Sequence, residues 1–172
     1  VAADRNVSDR RRFDLGEVTE RIVKGLRFGL RRQNIDVKVD CAPDLFINSY
    51  PGPYGQVLTN LVVNAATHAF PDGMQGSVHV AVRTSGRNDI EMVFSDDGCG
   101  MQEEVRRQVF DPFFTTRRDQ GSTGLGLHIV HNIVTIRLGG RISLESSPGA
   151  GTKVRIVMPR EAPLETAESA AE

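Results

Sequence analysis

Ile90, Met92 and Phe94 alternate with Glu91, Val93 and Ser95, and the next residue on the apolar parity is Asp96. A period of two marks a half-buried strand, so this carboxylate is carried to the core side of a sheet. There it needs hydrogen-bond donors, because an unpaired buried charge carries a large desolvation cost. Gly98 and Gly100 follow at once, where the chain must turn sharply and a flat ligand can approach the backbone closely. Together they suggest a carboxylate that accepts a hydrogen bond from a bound base.

A second glycine cluster, Gly121, Gly124 and Gly126, leads into Leu125, Leu127, Ile129, Val130, Ile133 and Val134, whose spacing suits a buried helix. Glycines at a helix entrance leave backbone N–H groups free to hold an anion, and the helix dipole adds to the attraction. That end reads as the phosphate end. Arg117 and Arg118, in the loop before it, either reach the same phosphates or solvate the loop.

Between residues 54 and 70 the apolar set Leu58, Leu61, Val62, Ala65 and Ala69 predicts another core helix, beginning after a Pro-Gly-Pro turn at 51–53. Gln56, Asn60, Asn64 and His68 recur at every fourth position and form one polar stripe along it. Asparagine is a poor helix-interior residue because its amide competes for backbone groups. Two of them one turn apart are therefore candidates for a role, and amide oxygens suit a hard cation such as Mg²⁺ that leans on substrate phosphates. His68 ends the stripe either as a ligand contact or as an ordinary helix-end histidine.

The remaining elements follow from periodicity. A surface helix is expected over 17–32, short strands over 35–40 and 45–48, and hairpins over 77–95 and 140–158. This order lacks regular βαβ repetition and predicts an α+β fold, a two-layer sandwich with helices packed on one face of a single mixed sheet. Residues 1–12 read as a linker or the end of an upstream helix, 13–160 as one domain, and 161–172 as a disordered tail. The 172 residues carry 21 basic and 22 acidic side chains, so nothing suggests a nucleic-acid surface. Cys41 and Cys99 are too few and too far apart for a disulfide framework or zinc site, which favours a reducing, cytoplasmic setting. No apolar run approaches the ~20 residues that span a bilayer, and the fragment is expected to make no membrane contact. Opening on Val1 rather than Met, the chain is expected to be a fragment or a processed form.

NLVVNAATHA (60–69), DDGCGM (96–101), FDPFFTT (110–116), GSTGLGL (121–127) and PGAGTKVRIVMP (148–159) resemble, in order, the N box, first glycine box, F box, second glycine box and closing box of the ATP-binding catalytic domain of sensor histidine kinases, members of the GHKL or Bergerat-fold superfamily. The resemblance covers residues 13–159. It implies that Asp96 binds the adenine amino group, with Thr152 and Gly100 helping through water or backbone, and that Asn64 ligates Mg²⁺ with Asn60 alongside. Gly124, Leu125, Gly126 and Leu127 would give backbone amides to the phosphates of ATP. Arg117 would act from a mobile lid anchored by Phe110, Phe113 and Phe114. The implied reaction moves the γ-phosphoryl group to a histidine on separate dimerisation helices of the parent protein, and from there to a response-regulator receiver domain.

ATP-hydrolysing relatives place a glutamate one turn before the metal-binding asparagine, where this chain has Asn60. Ser122 and Thr67 depart from the commoner kinase pattern of glycine and of lysine or arginine. None of His68, His79, His128 and His131 lies in the acidic, polar helical context of a phosphoacceptor, so the chain alone is not expected to autophosphorylate. Two other functions fit parts of the chain: a nucleotide-binding scaffold without transfer, against which Asn64, Asp96 and GLGL argue, and a dinucleotide oxidoreductase built on Gly124-Leu125-Gly126 with Glu145 as ribose acid. The second lacks a strand before its glycines and has Ile129 at the third glycine position. A P-loop is excluded, because GxxxxGK[ST] does not occur.

Overall fold

The computed structural model describes residues 9–116 and 123–164. Strand β1 (Arg11–Asp14) leads into helix α1 (Leu15–Arg32), followed by β2 (Ile35–Cys41), β3 (Phe46–Ser49) and α2 (Pro51–His68). Then come β4 (Gly76–Ser85), β5 (Asp89–Asp96), the short α3 (Glu103–Gln108), α4 (Gly126–Asn132) continuing as a π-helical turn (Ile133–Arg137), β6 (Arg141–Ser146) and β7 (Thr152–Pro159). Five strands form one mixed sheet in the order β2-β4-β5-β7-β6, in which only β2 and β4 run parallel. The α+β expectation holds. A glycine-opened βαβ unit is absent from the described residues, since β6 after α4 pairs with β7 and runs antiparallel to it, which removes the dinucleotide-oxidoreductase topology.

The single sheet of the sequence reading is corrected by a second, two-stranded ladder of β1 and β3. Its N-terminal half is Arg11-Arg12, which carries no apolar signal because the strand lies at the surface and is held by backbone pairing. The domain boundary expected after residue 12 therefore falls inside a strand. At the other end, Ala162 N donates to Asn48 O at 2.9 Å, Arg10 Nε donates to Ala162 O at 2.8 Å, and Ala162 is only 2% exposed. Residues 161 and 162 thus pack on the domain rather than opening a disordered tail. The rest of the expected linker and tail, 1–8 and 165–172, lies outside the described residues.

Helices begin earlier than periodicity alone suggests. Asp14 Oδ1 accepts from Glu17 N at 3.1 Å, so α1 starts at Leu15 behind an acidic N-cap. Pro51 and Pro53 lie in the first turn of α2, where a missing N–H costs nothing. The expected turn is a helix start.

The inner face of the sheet is built in rows. Val39, Val80, Phe94, Val154 and Leu144 form one row, and Cys41, Val82, Met92, Ile156 and Ile142 the next. Helices α1, α2 and α4 cover these rows with Val23, Leu58, Leu61 and Val130, all at most 2% exposed. Burying such a side chain contributes about 1.5–3 kcal/mol relative to exposure. The third row, Val37, Val78, Asp96, Thr152 and Ser146, turns polar on its last three strands. It marks where the core stops and a site begins. No described helix is long and apolar enough to cross a membrane.

One polar chain crosses the core. Thr19 Oγ1 donates to Leu15 O at 2.7 Å, which leaves it to accept from the fully buried Tyr54 hydroxyl at 2.6 Å. Tyr54→Phe removes that donor while Thr19 keeps its helix carbonyl. Urea denaturation is expected to show a loss of about 1 kcal/mol with an unchanged slope; an unchanged midpoint would show that the phenol contributes nothing net.

Candidate functional site

The two aspartates after β5 divide the work. Asp97 faces outward, where its carboxylate accepts from Ser77 N at 2.7 Å and Ser77 Oγ at 2.8 Å, tying the turn to the start of β4. Asp96 faces inward, and its Oδ1 accepts from Gly98 N at 3.0 Å and from Thr152 N at 3.2 Å. No described residue bonds to Oδ2. Burial pushes the Asp96 carboxyl above the usual carboxylate value and the Asp97 charge adds to the rise, against the pull of the two backbone N–H groups.

The turn that follows is clamped to the loop between β6 and β7. Gly149 N donates to Cys99 O at 2.8 Å, and Met101 N donates to Ser146 Oγ at 2.9 Å. Gly100 has φ +67°, and a Cβ there would stand 2.0 Å from Ser147 O, so only glycine fits. Gly98 lies behind the site against Ala69, and its contribution is the N–H it gives Asp96.

Asp96, Gly100 and Thr152 lie together in a narrow cleft whose apolar walls include Phe94, Leu144 and Val154. The stripe on α2 runs along its side, with Asn64 and His68 lining it. This cleft opens into a wider one that shares Asn64, His68, Gly100 and Leu127 and adds Asn60, Gly124 and Gly126. Asn60 Nδ2 donates to Gly126 O at 3.4 Å and ties α2 to the first turn of α4. Asn64 has no side-chain hydrogen bond to any described residue. His68 Nδ1 lies 3.5 Å from Thr116 Oγ1.

Gly124 has φ +69°, and a Cβ would fall 2.6 Å from the Phe113 carbonyl carbon. A Cβ on Gly126 would meet nothing within 4 Å, leaving open space at the head of α4. Leu125 lines neither cleft; its N donates to Thr123 Oγ1 at 3.4 Å. The structure thus brings Asn60, Asn64, His68, Asp96, Gly100, Gly124, Gly126, Leu127 and Thr152 to one continuous cavity. Arg117, Arg118, Gly121 and Ser122 lie outside the described residues.

The three phenylalanines expected to anchor the lid differ in their surroundings. Phe110 packs on the core, and its ring centroid lies 5.5 Å from that of His131. Phe114 lines the wide cleft. Phe113, with its left-handed backbone at φ 64°, is 65% exposed and lies outside the core cluster. What secures this end instead is His128: Asn132 Nδ2 donates to its Nε2 at 3.2 Å, so its Nδ1–H donates to Phe110 O at 3.1 Å. Sequence reasoning missed Asp97 and Ser146 as well, although Ser146 shares the parity of Ile142 and Leu144 and is inward-facing by the rule that exposed Asp96.

Residues 51–162 match the family described as histidine kinase-, DNA gyrase B-, and HSP90-like ATPase. The sensor histidine kinase ZraS of Klebsiella oxytoca is 41% identical over 113 residues, 66% of this chain and 23% of that protein. Sensor kinase CckA of Brucella abortus is 34% identical over 155 residues, 81% of this chain and 16% of that protein. The chain therefore spans less than a quarter of either relative. The catalytic domain of histidine kinase ThkA superposes with a TM-score of 0.78 at 27% identity, covering 89% of this chain and 97% of that one. A mycobacterial sensor histidine kinase, MprB, gives 0.72 at 28% identity, covering 88% and 97%.

Because the fold holds a proton on Asp96 more tightly than the unfolded chain does, the ionised carboxylate opposes folding above the unfolded pKa. That opposition is relieved as pH falls through the folded value. Asp96→Asn keeps an oxygen for Gly98 N and Thr152 N while removing the charge. Its unliganded melting temperature at pH 7 is expected to exceed the parent's, with the gap closing as pH is lowered; a lower melting temperature at pH 7 would show that the N–H contacts to the charge outweigh its burial.

Proposed function

The chain belongs to the histidine kinase-, DNA gyrase B- and HSP90-like ATPase family, and from that premise we propose that it binds Mg-ATP and donates the γ-phosphoryl group to a histidine on separate dimerisation helices, from which the group passes to a response-regulator receiver domain. The observation that carries the reading is the continuity of two unlike spaces. A narrow apolar slot closed by a half-satisfied carboxylate runs into a wide polar one at a glycine-opened helix.

Each part has work that its chemistry suits. Asp96 Oδ2 accepts from the exocyclic amine of adenine, and Phe94, Leu144 and Val154 face the ring. The backbone N–H groups of Gly124, Gly126 and Leu127 hold phosphate oxygens, with the open space at Gly126 admitting them, and that of Leu125 joins them once it leaves Thr123 Oγ1. The donor set fits Mg²⁺: Asn64 has its amide unengaged, and no carboxylate is among the described residues lining the wide cleft, so a cation there leans on phosphates and water. Mg²⁺ supplies charge neutralisation across the phosphates, and Arg117 from the lid adds to it. Asn60 occupies the place of the water-activating glutamate and is engaged with Gly126 O. Without a glutamate at that place, the site suits an acceptor that brings its own nucleophile. ThkA has been seen in complex with the response regulator protein TrrA, which supports the last partner in the relay.

Calorimetric titration with ADP, with and without Mg²⁺, tests the site, with NADH as control. Asp96→Asn is expected to weaken binding by about 10- to 100-fold, the worth of a hydrogen bond to a charged group. Asn64→Ala is expected to lose the Mg²⁺ effect while keeping metal-free ADP affinity. Binding of NADH in place of ADP would overturn the reading. Incubation with γ-labelled ATP and a supplied histidine-bearing helical domain should yield acid-labile label on that domain, and a concentration-independent dimer in sedimentation would sink the expectation that dimerisation resides in the separate helices.

A further inference from the structure

Asp96, Thr152 and Ser146 stand side by side on three neighbouring strands, Asp96 opposite Thr152 and Thr152 opposite Ser146, on a face that is otherwise apolar. The Ser146 hydroxyl has three partners. Met101 N lies 2.9 Å from it, Gly151 O 2.8 Å and Thr152 Oγ1 3.0 Å. A serine hydroxyl has one hydrogen and two lone pairs. A carbonyl oxygen can only accept, so Gly151 takes the hydrogen; a backbone N–H can only donate, so Met101 takes one lone pair. The remaining partner, Thr152, is left to donate into the second. Every bonding position of Ser146 is then used, and the direction of the Thr152 hydroxyl is fixed.

We infer that Ser146 is a positioning residue for base selection: by taking the Thr152 proton, it leaves Thr152 Oγ1 facing the narrow cleft as an acceptor beside Asp96 Oδ2, so the end of the cleft accepts an amino group and rejects a carbonyl. The inference rests on the purine reading of that cleft. Asp96 Oδ1 is already occupied by Gly98 N and Thr152 N, so the side chains of this wall, Asp96 and Thr152, offer a ligand only acceptors. An amine on the ring, or a water that it orders, has hydrogens for both. A carbonyl at the same ring position sets oxygen against oxygen, and leaves buried acceptors unpaired. The carboxylate alone does not achieve this, because a hydroxyl free to rotate beside it can donate to a carbonyl.

ADP and inosine diphosphate differ at this point, an amine against a carbonyl, and calorimetry on the parent and on Ser146→Ala separates the cases. The parent is expected to prefer ADP. In Ser146→Ala the Thr152 hydroxyl is released to donate, and the preference is expected to fall by about tenfold, the size of one hydrogen bond gained or lost; Ser146→Thr, which keeps the hydroxyl, is expected to restore it. Equal weakening of both nucleotides in Ser146→Ala, or no change in either, would overturn the inference, since a merely structural serine moves both together. Should Ser146→Ala fail to melt cooperatively, Thr152→Val removes the acceptor with little change of shape, and full retention of the preference in that variant overturns the inference too. A parent that binds neither nucleotide overturns the purine reading with it, whereas a parent that selects ADP and an alanine variant that selects it equally well overturns the role of Ser146 alone.

Discussion

A carboxylate at the end of an apolar strand face must be given hydrogen bonds, and the way Asp96 receives them shapes this end of the molecule. Its two donors come from different parts of the chain, Gly98 in the turn after β5 and Thr152 at the start of β7. To bring both to one oxygen, the 96–101 turn has to lie against the 146–152 loop. The bonds between Gly149 and Cys99 and between Met101 and Ser146 hold it there. Gly100 is required by the same closeness, because its Cβ would collide with the Ser147 carbonyl. The cleft is the space left when that clamp closes against α2.

Backbone donors satisfy only one oxygen and only in part offset burial, which is why the carboxyl titrates above its ordinary range. The fold carries this cost in its unliganded form, and a donor arriving with a ligand relieves it. Stability and binding are opposed at this residue. Such tension is common where a group is held for a ligand rather than for the core.

Much of the site is legible in the sequence because it obeys a period. Asp96 is found by strand parity, and Asn60, Asn64 and His68 by helical spacing, and the structure brings all four to one cavity. What escapes is whatever acts through backbone or through a hydroxyl near a turn. β1 is missed because Arg11 and Arg12 pair through their main chains. Ser146 is passed over because it precedes Ser147-Pro148-Gly149, where serine reads as punctuation. The early starts of α1 and α2 are hidden by an Asp cap and by prolines, whose positional meaning periodicity does not register. Phe113 shows another limit: an aromatic between two others reads as packing, yet it stands exposed on a left-handed backbone that no periodicity signals.

The π turn after α4 has a consequence for how the chain tolerates editing. Leu138 N bonds to Ile133 O, five residues back, so this segment holds one residue more than an α-helix of the same span. Deleting a residue elsewhere in the helix would rotate every later side chain by ~100° and carry Val134 or Leu138 off the core. Deleting one within the π turn lets the helix relax to ordinary pitch, with Leu127 and Val130 before it and Leu138 after it still facing inward. The helix that opens on the glycines therefore carries its own slack, placed away from the cleft, and its length can drift in evolution without disturbing the end that meets the ligand.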